Sequence, residues 1–222
     1  MTLDDLHKIY SDHKEGNWII SKQDAQYLFQ LVKTLNSKRI LDLGTGIGAS
    51  SAVMAFASSD KTTIDTVEQY KKCIDIAQKI TLAELKEKIT YHHSPTVVKQ
   101  IDDLKYENFS CYTKLPQGNW DFIVVDGPGP WLEDGYFIDI PNGDFWEFTK
   151  DIKKGCILYI DGRKVMVSYF AKFLSHYYNV LKDDADCLIL VRNDKPFDIT
   201  KINENRLAKI IKKQGKLPED YK

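Results

Sequence analysis

The residues best placed to do chemistry in this chain are a glycine turn and the carboxylates around it. Gly44-Thr45-Gly46-Ile47-Gly48 follows the apolar run Arg39–Leu43 and precedes Ala49–Ser58, small and apolar residues at helical spacing. Glycines let a backbone turn sharply and approach a ligand closely. The helix behind such a turn offers N–H groups that have no partner within the helix. Gly44-x-Gly46-x-x-Ala49 also satisfies the relaxed dinucleotide fingerprint, so the turn alone does not choose its ligand. Two carboxylates narrow the choice. Asp42, two residues before the first glycine, would repel a pyrophosphate and attract a cationic amino group. Glu68 follows the β-branched run Thr62–Val67, about 20 residues past the glycines, where a carboxylate can accept both hydroxyls of a ribose.

A second pair of carboxylates follows two further apolar runs. Asp126 ends Trp120–Val125 and Asp161 ends Cys156–Ile160. Open α/β sheets bind ligands at the carboxyl ends of their strands. There, one aspartate could be a general base toward a hydroxyl, or the two together could hold Mg²⁺. Capping of strand ends or following helices is the plainer role for both. Beside Asp161 stand Arg163 and Lys164, and an arginine fork matches an acidic substrate group. The stretch Pro128–Phe148 is long for a strand-to-helix link and rich in aromatics. Trp131 and Tyr136 there could stack on a flat acceptor or a sugar face, while Phe145, Trp146 and Phe148 read as the start of a helix packed on the sheet. A histidine can serve as a base near neutrality, but His92 and His93 lie at the end of the third strand.

The elements that must position these groups alternate. Strands are expected at Arg39–Leu43, Thr62–Val67, Ile89–His92, Trp120–Val125 and Cys156–Ile160. Helical patterns at Ala49–Ser58, Tyr70–Lys88 and Thr96–Leu104 lie between them. That alternation implies βαβ units and a parallel sheet covered on both faces, and Phe122-Ile123-Val124-Val125 suits a strand buried on both. Tyr177–Leu181 and Cys187–Val191, joined by a short polar link, read as an antiparallel hairpin. Leu3–His13 and Lys22–Leu35 are helices ahead of the sheet, the second capped by Ser21. The organisation expected is one domain: helices over 1–36 on the substrate side, a core over 37–194 and a lysine-rich tail over 195–222. The tail carries a helix pattern, Asn203–Gln214, whose Lys209, Lys212 and Lys213 read as a solvated face.

Four blocks in this order resemble the class I S-adenosylmethionine-dependent methyltransferases. They are Ile40–Gly48, Thr66-Val67-Glu68, Trp120–Asp126 and Gly155–Asp161, and the resemblance runs over roughly Asp24–Arg192. It implies a Rossmann-like, doubly wound α/β fold: a seven-stranded, mostly parallel sheet with its last strand antiparallel. It further implies that S-adenosylmethionine is the cofactor. Gly44, Thr45, Gly46 and Gly48 would then shape the methionine pocket, with Asp42 near the amino group. Glu68 and Gln69 would hold the ribose, His93 and Ser94 would face adenine, and Asp126 would border the cofactor. Many relatives carry an acidic residue where Ser94 stands. The resemblance favours O-methylation of a small molecule or saccharide. Metal-using relatives carry a third oxygen ligand beside the fifth-strand aspartate, but Asp161 is followed by Gly162-Arg163-Lys164. A nicotinamide-dependent oxidoreductase using the same turn is the alternative, and a non-catalytic S-adenosylmethionine-binding partner protein is a third.

Bulk properties exclude other classes. The 222 residues suffice for one sizeable core, and 43% apolar content is ordinary for a globular chain. A net charge of −1 gives no global attraction to nucleic acid or to anionic membrane. No apolar stretch is long enough to span a bilayer and the first residues are polar, so a cytoplasmic protein is expected; a monomer and a homodimer are both open to it. Cys73, Cys111, Cys156 and Cys187 are widely spaced and read as reduced thiols, with Cys156 and Cys187, inside apolar runs, read as buried.

Overall fold

The computed structural model describes residues 1–100, 108–129, 131–133, 136–138, 140–144, 152–162, 166–167, 170, 174, 176–183, 187–196 and 213–216. Helix α1 (Leu3–Ser11) starts at a reciprocal cap, in which Thr2 and Asp5 satisfy each other's backbone N–H groups. Helix α2 (Lys22–Leu35) starts at Ser21 and stops at Asn36, whose φ of 50° ends the helix in the left-handed region. The chain then alternates through β1 (Arg39–Leu43), α3 (Ala49–Ala57), β2 (Thr63–Glu68), α4 (Lys71–Ile80), α5 (Ala83–Lys86) and β3 (Ile89–His93). It continues through β4 (Thr96–Gln100), β5 (Asn108–Tyr112), β6 (Phe122–Val125), β7 (Trp131–Glu133) and β8 (Tyr136–Ile138). Last come β9 (Ile157–Asp161), β10 (Tyr178–Asp183), β11 (Cys187–Arg192) and β12 (Lys213–Lys216).

Seven of these strands form one sheet in the order β10-β11-β9-β6-β1-β2-β3. Strands β9, β6, β1, β2 and β3 run parallel, and β11 lies antiparallel between β9 and β10. The expected seven-stranded sheet with an antiparallel last strand is therefore present. Because successive side chains point to opposite faces, each central strand feeds two cores. Ile40, Phe122 and Val124 pack with α1, α2 and α3 on one face. Leu41, Leu43, Ile123 and Val125 pack with Phe109, Tyr112 and Phe170 on the other. The four cysteines are buried and outside any disulfide, Cys156 and Cys187 as expected from their apolar runs, and burial pushes the Cys156 thiol up to about 12. No helix among the described residues is long and apolar enough to cross a membrane.

Three expected elements differ. The helix expected over Thr96–Leu104, of which residues 101–104 lie outside the described residues, is not formed at Thr96–Gln100, which is strand β4, paired antiparallel with β5 in the register Val97–Cys111 and Lys99–Phe109. Its β-branched Thr96-Val97-Val98 start suits a strand, and β5 supplies the backbone partners a single helical turn would otherwise find in itself. Tyr70–Lys88 is two helices, broken where Thr81 and Leu82 adopt extended backbone. In the tail, Lys213 and Gln214 belong to strand β12, which adds to the β7–β8 hairpin; Gly215 inside it is a poor helix residue. Trp131 and Tyr136 thus lie in paired strands rather than a loop. Arg163, Phe145, Trp146, Phe148, Lys209 and Lys212 lie outside the described residues.

Candidate functional site

The site forms where β1, an interior strand between β6 and β2, gives way to the glycine turn. Gly44, Gly46 and Gly48 all have positive φ, at 111°, 50° and 96°, a region that costs an L side chain about 1–2 kcal/mol. Each glycine has its own reason beyond that. A Cβ on Gly44 would stand 2.4 Å from the Gly127 nitrogen, and one on Gly48 would stand 2.9 Å from the Ala77 Cβ. A Cβ on Gly46 would meet nothing within 4 Å. The first and last glycines are therefore demanded by packing, while the middle one faces open space where a ligand can reach the backbone.

Asp42 lies beneath the turn and is fully buried. Its Oδ2 accepts from Ser51 (2.5 Å), Ser50 (3.0 Å) and Thr66 (3.2 Å), whereas its Oδ1 has no hydrogen-bond partner. Burial pushes its pKa up to about 6, against the pull of those three hydroxyls. A buried carboxylate oxygen without a partner is costly, and a cationic group would satisfy it. Ser50, Ser51 and Thr66 were not singled out from sequence. The signal available was a Ser-Ser pair opening the helix after the turn.

Glu68, at the end of β2, is also buried. Its Oε2 accepts the Gly46 N–H at 2.8 Å and its Oε1 accepts the Tyr70 N–H at 2.9 Å. Burial raises its pKa to about 7, opposed by these backbone N–H groups, with Asp42 adding a smaller upward push. The Gly44 and Thr45 N–H groups both donate to the Val67 carbonyl, at 3.0 and 3.1 Å, and Thr45 and Thr66 share a hydroxyl contact at 2.6 Å. The turn is thus tied to β2 at three points, with Glu68 directly below its open middle glycine.

The remaining expected residues gather along the same edge. Glu68 is registered against His93 of β3, and Ser94 donates its N–H to the Glu68 carbonyl at 2.9 Å. Ser94 is buried and its hydroxyl accepts the Lys114 N–H at 2.9 Å. His93 is exposed and its Nε2 lies 3.1 Å from the Gln69 carbonyl. His92 turns away to Asp65, at 2.8 Å. Gln69 reaches across the edge, its Oε1 accepting the Gly129 N–H at 3.0 Å. That contact joins the β2 end to the turn after β6.

The turn after β6 carries Asp126. Its N–H donates to the Leu43 carbonyl at 2.9 Å, and the Gly127 N–H donates to the same oxygen. Val125 and Ile160 are registered partners of β6 and β9, so Asp126 and Asp161 leave neighbouring parallel strands side by side. Both are half-buried. Mg²⁺ is held by six oxygens in near-octahedral geometry. Among the described residues no group of three His, Cys, Asp or Glu side chains converges, and Gly162, which follows Asp161, has no side-chain oxygen to offer. Three buried groups beneath this turn were also missed: Tyr112, Asn142 and Asp144. They carry no motif, and their placement depends on the β4–β5 pair that sequence periodicity read as helix.

The chain resembles known proteins in the part that builds this site. A family model described as O-methyltransferase matches residues 1–129, ending just past the β6 turn. Caffeoyl-CoA O-methyltransferase 2 of Petunia hybrida is 28% identical over 129 residues, covering 55% of this chain. Those residues are 48% of that protein, so the chain spans about half the length of this curated relative. An O-methyltransferase from Bacillus cereus, solved in complex with SAH, superposes with a TM-score of 0.56 at 16% identity, over 86% of this chain and 90% of that one. The O-methyltransferase TomG from Streptomyces achromogenes, involved in tomaymycin synthesis and solved with SAM, gives 0.55 at 17% identity, over 87% and 89%. At such identities the structural likeness carries the fold alone.

Proposed function

The chain belongs to the O-methyltransferase family, and from that premise we propose that it transfers the methyl group of S-adenosylmethionine to a hydroxyl of a small molecule or saccharide. One observation carries the reading: two buried carboxylates, Asp42 with an unpartnered oxygen and Glu68 against the open Gly46, bracket the glycine turn. Asp42 meets the cationic amino group of the methionine moiety, and Glu68 accepts the ribose hydroxyls. His93 and Ser94 border the adenine, and Gln69 and Thr45 hold the edges of the pocket. A fixed anion pair of this kind suits a cationic donor and opposes a dinucleotide pyrophosphate.

The bound sulfonium supplies an electrophilic methyl group; this chain's residues must orient the acceptor oxygen and take its proton. Asp126 and Asp161 stand at neighbouring strand ends on the acceptor side. Asp126, tied by its N–H to the strand that carries the donor turn, is the general base, and Asp161 is its partner in holding the hydroxyl. Trp131 and Tyr136, in strands that issue from the same turn, and Arg163, two residues past Asp161, are assigned to the acceptor. The adjacency of the two carboxylates also favours a second reading, in which the pair shares Mg²⁺ with the acceptor oxygen.

The test is incubation with methyl-labelled S-adenosylmethionine and a panel of catechols, hydroxycinnamoyl thioesters and saccharides. Label is expected on a hydroxyl of one of these. Label found solely on protein or nucleic acid overturns the proposal. Turnover that survives EDTA supports the base; turnover lost to EDTA and restored by Mg²⁺ supports the shared cation.

A further inference from the structure

We propose that Tyr112, Asn142 and Asp144 are positioning residues that lock the donor turn and the Asp126 turn into one unit. The inference rests on the reading that the glycine turn holds S-adenosylmethionine. All three side chains are buried: Tyr112 is 1% exposed, Asn142 and Asp144 0%. Tyr112 Oη donates to the Val67 carbonyl at 3.2 Å, the oxygen that already accepts the Gly44 and Thr45 N–H groups. Tyr112 is therefore a third donor on the anchor of the donor turn. Its backbone N–H donates to Asp144 Oδ1 at 2.9 Å. Asn142 Nδ2 bridges Asp144 Oδ2, at 3.2 Å, and the Gly127 carbonyl, at 2.7 Å. The path from one turn to the other is thus Val67 carbonyl, Tyr112, Asp144, Asn142, Gly127.

Packing leaves this path no slack. A Cβ on Gly127 would stand 2.4 Å from Tyr112 Oη and 2.7 Å from the Gly44 Cα. The two turns touch backbone to backbone, with the phenol wedged beneath them. The carboxylates of Glu68, Asp144, Asp126 and Asp42 all act on the Tyr112 hydroxyl and, with burial as the larger cause, keep it protonated as a donor. Strand β5 delivers Tyr112, and the segment ahead of the β9 crossover delivers Asn142 and Asp144. None of the three needs to touch donor or acceptor. Their effect is to fix the separation between the turn that carries the methyl donor and the turn that carries Asp126, where a displacement of about 1 Å costs on the order of a hundredfold in rate.

The experiment uses the full chain with S-adenosylhomocysteine as the probe, read by calorimetry and by amide hydrogen exchange. In the wild type, binding is expected to protect amides of residues 44–48 and also those of residues 126–129. Tyr112→Phe keeps the ring in the core and removes the third donor. Its affinity is expected to fall about 5-fold, the worth of one buried hydrogen bond, with protection at 126–129 lost and protection at 44–48 kept. Asn142→Ser is expected to give the same split, and Tyr112→Phe decides the matter if the serine variant does not fold. Affinity within twofold of wild type together with unchanged protection at both turns overturns the inference alone. A wild type that does not bind S-adenosylhomocysteine removes the donor reading and this inference with it.

Discussion

At the scale of single residues, burial raises the pKa of two carboxylates, Asp42 and Glu68, beside the glycine turn. In the ligand-free protein Glu68, raised to about 7, is partly protonated near neutrality. In the proposed role, accepting two ribose hydroxyls would stabilise its ionised form, and donor binding would then expel a proton. Calorimetry of S-adenosylhomocysteine at pH 7 in buffers of different ionisation enthalpy is expected to show release of a fraction of a proton, and Glu68→Gln is expected to abolish that release while weakening binding on the order of tenfold. Asp126→Asn, which keeps shape and loses basicity, is expected to lower turnover by about 10²–10⁴-fold with S-adenosylhomocysteine affinity nearly intact; a parallel loss of affinity would move Asp126 from chemistry to donor binding. Sequence made Asp42, Glu68 and Asp126 visible because each is a carboxylate at or next to the end of a strand-like run. It left Ser50, Ser51, Tyr112, Asn142 and Asp144 obscure, since their work is to complete hydrogen bonds whose other ends are set by tertiary contact.

At the scale of elements, the glycine turn separates two requirements that one motif hides. Gly44→Ala must place a methyl 2.4 Å from the Gly127 nitrogen at a φ of 111°. Strain and overpacking together cost about 3 kcal/mol, enough for a large fall in melting temperature. Gly46→Ala has room for its methyl and carries about 1–2 kcal/mol of backbone strain. It is expected to fold and melt near the wild type yet bind S-adenosylhomocysteine poorly, because the methyl occupies the side a ligand must approach; thermal melting with and without that ligand separates the two. Strands were legible wherever they are buried on both faces: β1, β6 and β9 show as short apolar runs, and the β10–β11 hairpin shows as two runs across a polar link. The β4–β5 pair was not. Five residues that begin Thr96-Val97-Val98 have too little length for a period to declare itself, and the strand that decides their conformation lies beyond residue 107.

At the scale of the whole molecule, burial of carboxylates makes stability depend on pH in a direction opposite to that of salt-bridged acids. Glu68 and Asp42 have folded pKa values above their ordinary ones, about 7 and about 6. Between roughly pH 4 and pH 7 the folded chain then binds more protons than the unfolded one, so stability falls as pH rises through that window. For the ligand-free protein the loss from pH 5 to pH 8 is expected to be of order 2–4 kcal/mol, visible as a falling melting temperature. Glu68→Gln is expected to flatten that slope, and a melting temperature that climbs over the same range would show that other groups dominate.

The sheet order also sets a timetable. Strand β1 pairs with β2 on one side and with β6 on the other, and the Leu43 carbonyl waits for N–H groups some eighty residues further along the chain. A growing polypeptide emerges amino end first, so β1, β2 and β3 can associate while the floor of the pocket is still missing. Ligand cannot help to nucleate folding in such a chain; it can select the finished product. A fragment ending at residue 120 is expected to show no S-adenosylhomocysteine binding although it contains the whole glycine motif, which makes the cofactor a reporter of completed synthesis rather than a scaffold for it.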